Sequence, residues 1–296
     1  MRGTRPFGRA ADWARLLRVS ATASVPGDAL AGAAASGHRP NRGTLLAAGA
    51  SLCLYEAGMA LNDYSDREID AVERPGRPLP SGRIAPAAAL TASVVLTAAG
   101  LRLAAAAGRP ALLTATALAG TVWAYDLRLK HTAFGPAGMA AARALDLVLG
   151  AAATAGNARG AGAGRCAGTV ASSAGLLGAH TFAVTAVSRH ETLGAPTTVP
   201  LAALGATTAV ACATGRTGRI PAVFAAAYAA AAARPLAHAA LNPSPQLLQR
   251  AVGGGIRATI PLQAALAARA ARPGSAAALL ALLPLARRLS RKVSPT

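Results

Sequence analysis

The chain has 296 residues, enough for one large domain or two small ones. Hydrophobic residues make up 53% of it and charged residues only 14%, where soluble domains carry about 25% charged residues. A net charge of +19 would suit nucleic acid. The basic residues, however, are scattered through short gaps between apolar runs, with no interleaved aromatic stripe, so a nucleic-acid partner is excluded in favour of lipid headgroups and an anionic substrate.

The N-terminal stretch carries Arg2, Arg5, Arg9, Arg15 and Arg18, with no compact apolar core at signal-peptide distance. The apolar run that follows continues to about Gly37, so a retained first span is expected, preceded by a basic cytoplasmic segment over residues 1–16. Apolar runs then recur at about 17–37, 43–63, 84–107, 110–127, 134–156, 168–188, 198–214, 219–240 and 249–270, with a short one at 275–289 that contains Pro284. A spanning helix needs roughly 20 residues at about 1.5 Å each, and most of these runs supply that. None alternates like a strand. The expected fold is all-α: an integral membrane bundle of nine or ten transmembrane helices, forming one multi-pass domain over residues 1–296 in the lipid bilayer. Because much of the apolar content is alanine, a soluble alanine-rich helical protein is the alternative on composition alone.

Orientation follows from Lys and Arg placement. With the N-terminus inside, the outer gaps 38–42, 102–109, 157–165 and 215–219 carry two arginines each. The inner segments 1–18, 67–83 and 128–130 carry five, four and two cationic residues. This favours a cell-membrane protein with its chemically loaded segments on the cytoplasmic side. Cys53, Cys166 and Cys212 are far apart in apolar segments and fit buried small hydrophobes better than a metal or disulfide site. No pattern in the sequence specifies an oligomeric state.

With only eleven acidic residues, their positions are informative. Asp63, Asp66, Glu68, Asp70 and Glu73 fall in one stretch. Asp28, Glu56, Asp126 and Asp146 lie in apolar runs or at their ends, where a carboxylate defaults to a functional hypothesis. Glu191 follows the sixth run, and Asp12 reads as surface decoration. Asn62, Asp66 and Asp70 are spaced i, i+4, i+8, so a continuous helix would line them on one face, with Asp63 in the same sector. Carboxylates so crowded repel one another unless cations join them, and Mg²⁺, which takes one or two carboxylates and prefers phosphate oxygens besides, suits the set. The plainer alternative is a solvated helix end.

The loop 73–84 adds Arg74, Arg77 and Arg83 on a proline-stiffened backbone, and guanidinium forks match phosphate oxygens. A positive-inside loop would explain the arginines but not their place beside the acids. Tyr55, Tyr64, Trp123 and Tyr125 could offer cation–π contact or form an interfacial belt. Asp28, in Val25-Pro26-Gly27-Asp28, suggests a broken helix lining a cavity. It could bond an acceptor hydroxyl or pair with an arginine on another span, and the same choice applies to Glu56.

Residues 62–84, NDYSDREIDAVERPGRPLPSGRI, resemble the first Asp-rich motif of the UbiA prenyltransferase superfamily with its Arg-Pro loop. The resemblance implies a membrane helical bundle, usually of nine spans, that moves a prenyl group from a prenyl diphosphate to a small acceptor with Mg²⁺. It implies Asn62, Asp63, Asp66 and Asp70 as the Mg²⁺–diphosphate site, with Arg77 and Arg83 near the diphosphate. Residues 125–150, YDLRLKHTAFGPAGMAAARALDLVLG, resemble an EboC-like branch, which implies Lys130 on the phosphates, Arg143 and Asp146 in the site, and a polar or polyol acceptor.

The family's second Asp-rich motif is replaced by Ser188-Arg189-His190-Glu191, a pattern similar to that branch, with Arg189 standing where a second metal would bridge to the diphosphate. Allylic ionisation at Asp66 and Asp70 would then be followed by deprotonation of the acceptor, with Glu191, Asp146 and His190 as candidate bases in that order. A terpene cyclase and a non-catalytic carrier or assembly protein for a prenyl-linked metabolite are the rivals. The first predicts product from diphosphate alone, the second indifference to Asp66→Asn.

Overall fold

The structure, a computed structural model, describes residues 9–18, 24–158, 166–272, 274–277 and 279. Among these the fold is helical throughout, without a strand. In chain order the helices are α1 (Ala10–Leu16), α2 (Val25–Ala35), α3 (Arg42–Ser65), α4 (Arg67–Glu73), α5 (Pro86–Ala107) and α6 (Arg109–Ala124), which runs on into a π turn (Tyr125–Leu129). They continue as α7 (Gly135–Gly156), α8 (Ala167–Ser188), α9 (Thr198–Gly215), α10 (Arg219–Leu241) and α11 (Pro245–Arg269).

Local chemistry sets these boundaries. Proline sits in the first turn of α2, α5, α6, α7 and α11, where a missing N–H breaks no helical hydrogen bond. Asn41 caps α3 by accepting from the Gly43 and Thr44 amides. Gly108 alone joins α5 to α6, at a φ of 122° that a side chain would strain.

Among the described residues six helices, α3, α5, α7, α8, α9 and α10, are long and apolar enough to cross a membrane. The expected first span at 17–37 is not described as one helix, and its residues 19–23 lie outside the described residues. α1 stops at Leu16, and α2 has only 11 residues, about 16 Å of helix against the roughly 30 Å of a bilayer core. Hydropathy runs straight through the turn at Leu17–Arg18, because helix breaks do not register in it. Pro26 marks the start of α2 and does not interrupt a span. The run expected at 275–289 lies almost wholly outside the described residues.

The alanines and glycines that dominate the composition are the packing surface. A Cβ at Gly32 of α2 would fall on the Leu147 carbonyl of α7, and one at Gly150 would fall on the Ala29 backbone. At Gly43 of α3 it would meet the Ala153 carbonyl. Small residues thus let α2, α3 and α7 touch backbone to backbone, as helices in lipid commonly do. α11 lies against this group and is buried from Ala258 to Ala268. Leu147, Leu177, Tyr228, Leu262 and Leu266 fill the space between α7, α8, α10 and α11.

Candidate active site at one end of the bundle

The acidic stretch does not form one continuous helix face. α3 ends at Ser65, Asp66 takes φ −89° and ψ 2°, and α4 restarts at Arg67, so the helix breaks in the middle of the motif. Asp63 and Asp70 are buried at 4% and 3% exposure. Such carboxylates need cations, and the chain provides them. Arg77 Nη1 lies 2.5 Å from Asp70 Oδ2 and 3.5 Å from Asp63 Oδ1. Arg18 reaches Asp63 at 3.4 Å, and Arg74 stands 4.0 Å from Asp70. Lys130 Nζ is 2.7 Å from Asp66 Oδ1, which His131 also approaches at 3.2 Å.

Lys130 comes from the π turn, which closes with its own amide donating to the Tyr125 carbonyl. The same turn places Asp126, 5% exposed, where its Oδ1 accepts from Asn62 Nδ2 at 3.1 Å. Gly58 lets this end of α6 lean on α3, since a Cβ there would sit 3.0 Å from Val122. Arg18 and His131 were not among the expected site residues, and Asp126, marked as a functional candidate by its place at the end of an apolar run, was given no role in the site. For Asp126 the available signal was its i, i+4 spacing to Lys130, matching Asn62 to Asp66. Nothing local pointed to Arg18.

Arg83 departs from expectation. Its Nε pairs with Asp12 at 2.9 Å and its Nη2 donates to the Gly76 carbonyl, so it ties α1 to the proline loop and does not face the acids. Asp12 is therefore a strut rather than surface decoration. Leu16, packed with Ala60, Leu79 and Ile84 and flanked by Trp13 and Leu17, completes the attachment. Of the four aromatics, Tyr64 lies under the Arg67 guanidinium and Trp123 donates to Thr97 on α5. Tyr125 stays beside the site, within electrostatic reach of Asp66 and Arg189, which brings the end of α8 to this end of the bundle. Glu191 is half-buried just beyond, in the turn that follows α8.

Asp28, Arg143 and Asp146 belong to a second cluster. Arg143 Nη1 is 3.0 Å from Asp28 Oδ2, without the alignment of a hydrogen bond, and Gln263 donates to Asp28 Oδ1 at 2.6 Å. Ser51 donates to Asp146 at 2.5 Å. Ser51 precedes Asn62 by eleven positions on α3, so this cluster lies about 16 Å deeper along the helix. Of the two possibilities raised for Asp28, it makes the pairing with an arginine on another helix.

Hard oxygen donors only, from Asn62, Asp63, Asp66 and Asp70, suit Mg²⁺, and in that sense the residues fit the ion. They are not preassembled around a point. Among the described residues no three His, Cys, Asp or Glu side chains are grouped to hold a metal. Two cavities stand out and neither adjoins the acids. One, of about 10 Å³, is lined by Val187, Leu236 and Val252, and the other, of about 270 Å³, opens beside Arg39 and Arg272. At the acid end the carboxylates are taken up by ion pairs with Arg18, Arg74, Arg77 and Lys130.

Comparison with known proteins agrees with this architecture. The profile of the UbiA prenyltransferase family matches residues 24–244. A digeranylgeranylglyceryl phosphate synthase from Methanothrix thermoacetophila is 42% identical over 113 residues, 38% of this chain and 41% of that protein. One from Methanopyrus kandleri is 36% identical over 114 residues, 38% of this chain and 40% of that protein. The chain thus spans about two fifths of the length of the curated relatives it matches. Among solved structures, a UbiA homolog from Aeropyrum pernix K1 superposes with a TM-score of 0.65 at 17% identity, covering 88% of this chain and 97% of that one. A UbiA homolog from Archaeoglobus fulgidus bound to GPP and Mg²⁺ gives 0.62 at 17% identity, covering 92% and 99%. At such identity the likeness is one of fold.

Proposed function

The chain belongs to the UbiA prenyltransferase family, and on that premise we propose that it moves a prenyl group from an isoprenoid diphosphate to a small hydroxyl-bearing acceptor within the membrane. One observation carries the proposal. Buried carboxylates and an amide at the end of α3 are interlocked with Arg77, Arg18 and Lys130, so anion-binding and cation-binding groups share one end of a membrane bundle.

Asn62, Asp66 and Asp70, with Asp63 beside them, are the residues that would hold Mg²⁺. When bound, the ion supplies charge neutralisation for the leaving diphosphate. Arg77, Lys130, Arg74, Arg18 and Arg189 supply donors to the diphosphate oxygens. The C1–O bond of the prenyl diphosphate breaks with its electron pair leaving on the diphosphate. The acceptor hydroxyl oxygen forms the new bond to C1, and its proton goes to a base. Glu191 is at the right end of the bundle for that role, whereas Asp146 lies too deep, held by Ser51.

The positive-inside bias of the segments at this end supports a cytoplasmic site. The names of the partial-length relatives support a glyceryl phosphate type of acceptor, in line with the polar acceptor expected from sequence. Membranes containing the chain, incubated with labelled prenyl diphosphates of several lengths, Mg²⁺ and a panel of glyceryl phosphates, polyols and aromatic acids, test the proposal. Labelled adduct and released diphosphate are expected, with Asp66→Asn reducing both at least about 100-fold. Diphosphate release without adduct would point to a cyclase. Neither product, or an unimpaired Asp66→Asn, would overturn it.

A further inference from the structure

Asp126 has no part in the chemistry just described, yet it is buried at the heart of the site. Its Oδ1 accepts from Asn62 Nδ2 at 3.1 Å, while one turn later Lys130 pairs with Asp66 at 2.7 Å and donates to Ser65 Oγ, also at 2.7 Å. The π turn and the end of α3 therefore meet in register, 126 against 62 and 130 against 66.

The chemistry of the first pair is directional. An ionised carboxylate only accepts, so it can bond an amide only through the NH₂ group. Pinning Asn62 Nδ2 to Asp126 turns Asn62 Oδ1 the opposite way, where it is free to face a cation. Released, the amide could flip and present its NH₂ group to the ion, a repulsive contact. Gly58 is the sequence feature that lets the two helices approach closely enough, since a Cβ there would meet Val122 at 3.0 Å and Asp126 Oδ2 at 3.7 Å.

We propose that Asp126 is a positioning residue of the cation site, acting through the Asn62 amide and not as a ligand itself. The inference rests on Asn62 and Asp66 forming the cation-binding face. Partners that orient metal ligands typically change metal affinity about 10- to 100-fold when removed.

The test is Mn²⁺ binding, followed by electron paramagnetic resonance on detergent-purified protein with a non-cleavable prenyl thiolodiphosphate present. Thermal melting of each variant serves as a check on folding. Asp126→Ala is expected to weaken Mn²⁺ binding about 10-fold. Asp126→Asn, whose amide can accept from Asn62 or donate to it, is expected to fall between wild type and Asp126→Ala. In a double-mutant cycle, Asn62→Ala should abolish the effect of Asp126→Ala. Equal losses in the Asn and Ala variants would make Asp126 a direct ligand and overturn the inference, as would additive losses with Asn62→Ala or an unchanged affinity in Asp126→Ala. Failure of the wild-type protein to bind Mn²⁺ at all would instead overturn the cation site, and this inference with it.

Discussion

Arg77 stands between the acids and any incoming cation, and its removal should push two affinities in opposite directions. The guanidinium is 22% exposed and bonds Asp70 at 2.5 Å while lying 3.5 Å from Asp63. A hydrogen bond of this kind, charged at both ends, contributes about 1.5–3 kcal/mol. A cation entering at Asp70 must displace it, so Arg77 suppresses binding of metal alone by roughly 10- to 100-fold at about 1.4 kcal/mol per decade. Arg77→Ala should then strengthen Mn²⁺ binding in the absence of diphosphate by up to that factor. It should weaken binding of a non-cleavable prenyl diphosphate analogue by a similar factor, because the freed guanidinium is what the phosphate oxygens would gain. In the wild-type protein the two ligands should help each other, and in Arg77→Ala that coupling should shrink equally from either side, as linkage requires. Mn²⁺ titrations with and without the analogue, and analogue titrations with and without Mn²⁺, measure all four affinities. If Arg77→Ala left Mn²⁺ binding without diphosphate unchanged or weaker, Arg77 would not compete for Asp70 and this reasoning would fail.

Other perturbations separate the two polar clusters and the strap. Arg143→Ala should destabilise the fold by about 3–5 kcal/mol, read as a fall in thermal midpoint in detergent, because it strands Asp28, which is fully buried. Adding Asp28→Asn should recover most of the loss, which a purely substrate-binding role for Arg143 would not produce. Gly150→Val should also lower the midpoint, by the 1–3 kcal/mol typical of overpacking or more, since its Cβ would land on the Ala29 backbone. Arg83→Ala should change prenyl diphosphate affinity less than about 3-fold, against the much larger loss for Arg77→Ala, because Arg83 is engaged with Asp12 and the Gly76 carbonyl and is partly exposed.

From residue 43 onward the apolar runs anticipate the helices closely: the expected run at 168–188 is α8 at Ala167–Ser188, and 198–214 is α9 at Thr198–Gly215. Length and hydropathy suffice there because a helix in lipid must satisfy its own backbone and has few ways to stop other than Gly, Pro or charge. The first run misled because a single charge, Arg18, at the edge of a long apolar run does not interrupt its hydropathy, although the chain turns there. The acid stretch stood out as a candidate site from residue type and spacing. Its break at Asp66 was not, and neither were the partners Arg18 and Asp126, which come from segments 45 and 64 residues away. Those contacts exist only once α1 is strapped over α3 and the π turn is seated against Gly58, and both depend on long-range packing that no local window contains.

Charge scarcity gives the pairing pattern its meaning. With 30 Lys and Arg against 11 Asp and Glu, a buried acid in this chain has cations to spare, and Asp28, Asp63 and Asp70 each take an arginine. Among the described residues Asp126 is buried without an ion pair of its own and bonds a neutral group instead, the Asn62 amide, whereas Asp146, with Ser51 donating to it, lies against Asp28 and its Arg143. Holding a carboxylate on a neutral partner where guanidinium is abundant forgoes the stronger bond. Such an arrangement is expected where the orientation of the neutral group matters more than the energy of the contact. For Asn62, at the edge of a face that must turn an oxygen towards a cation, that orientation has an evident use.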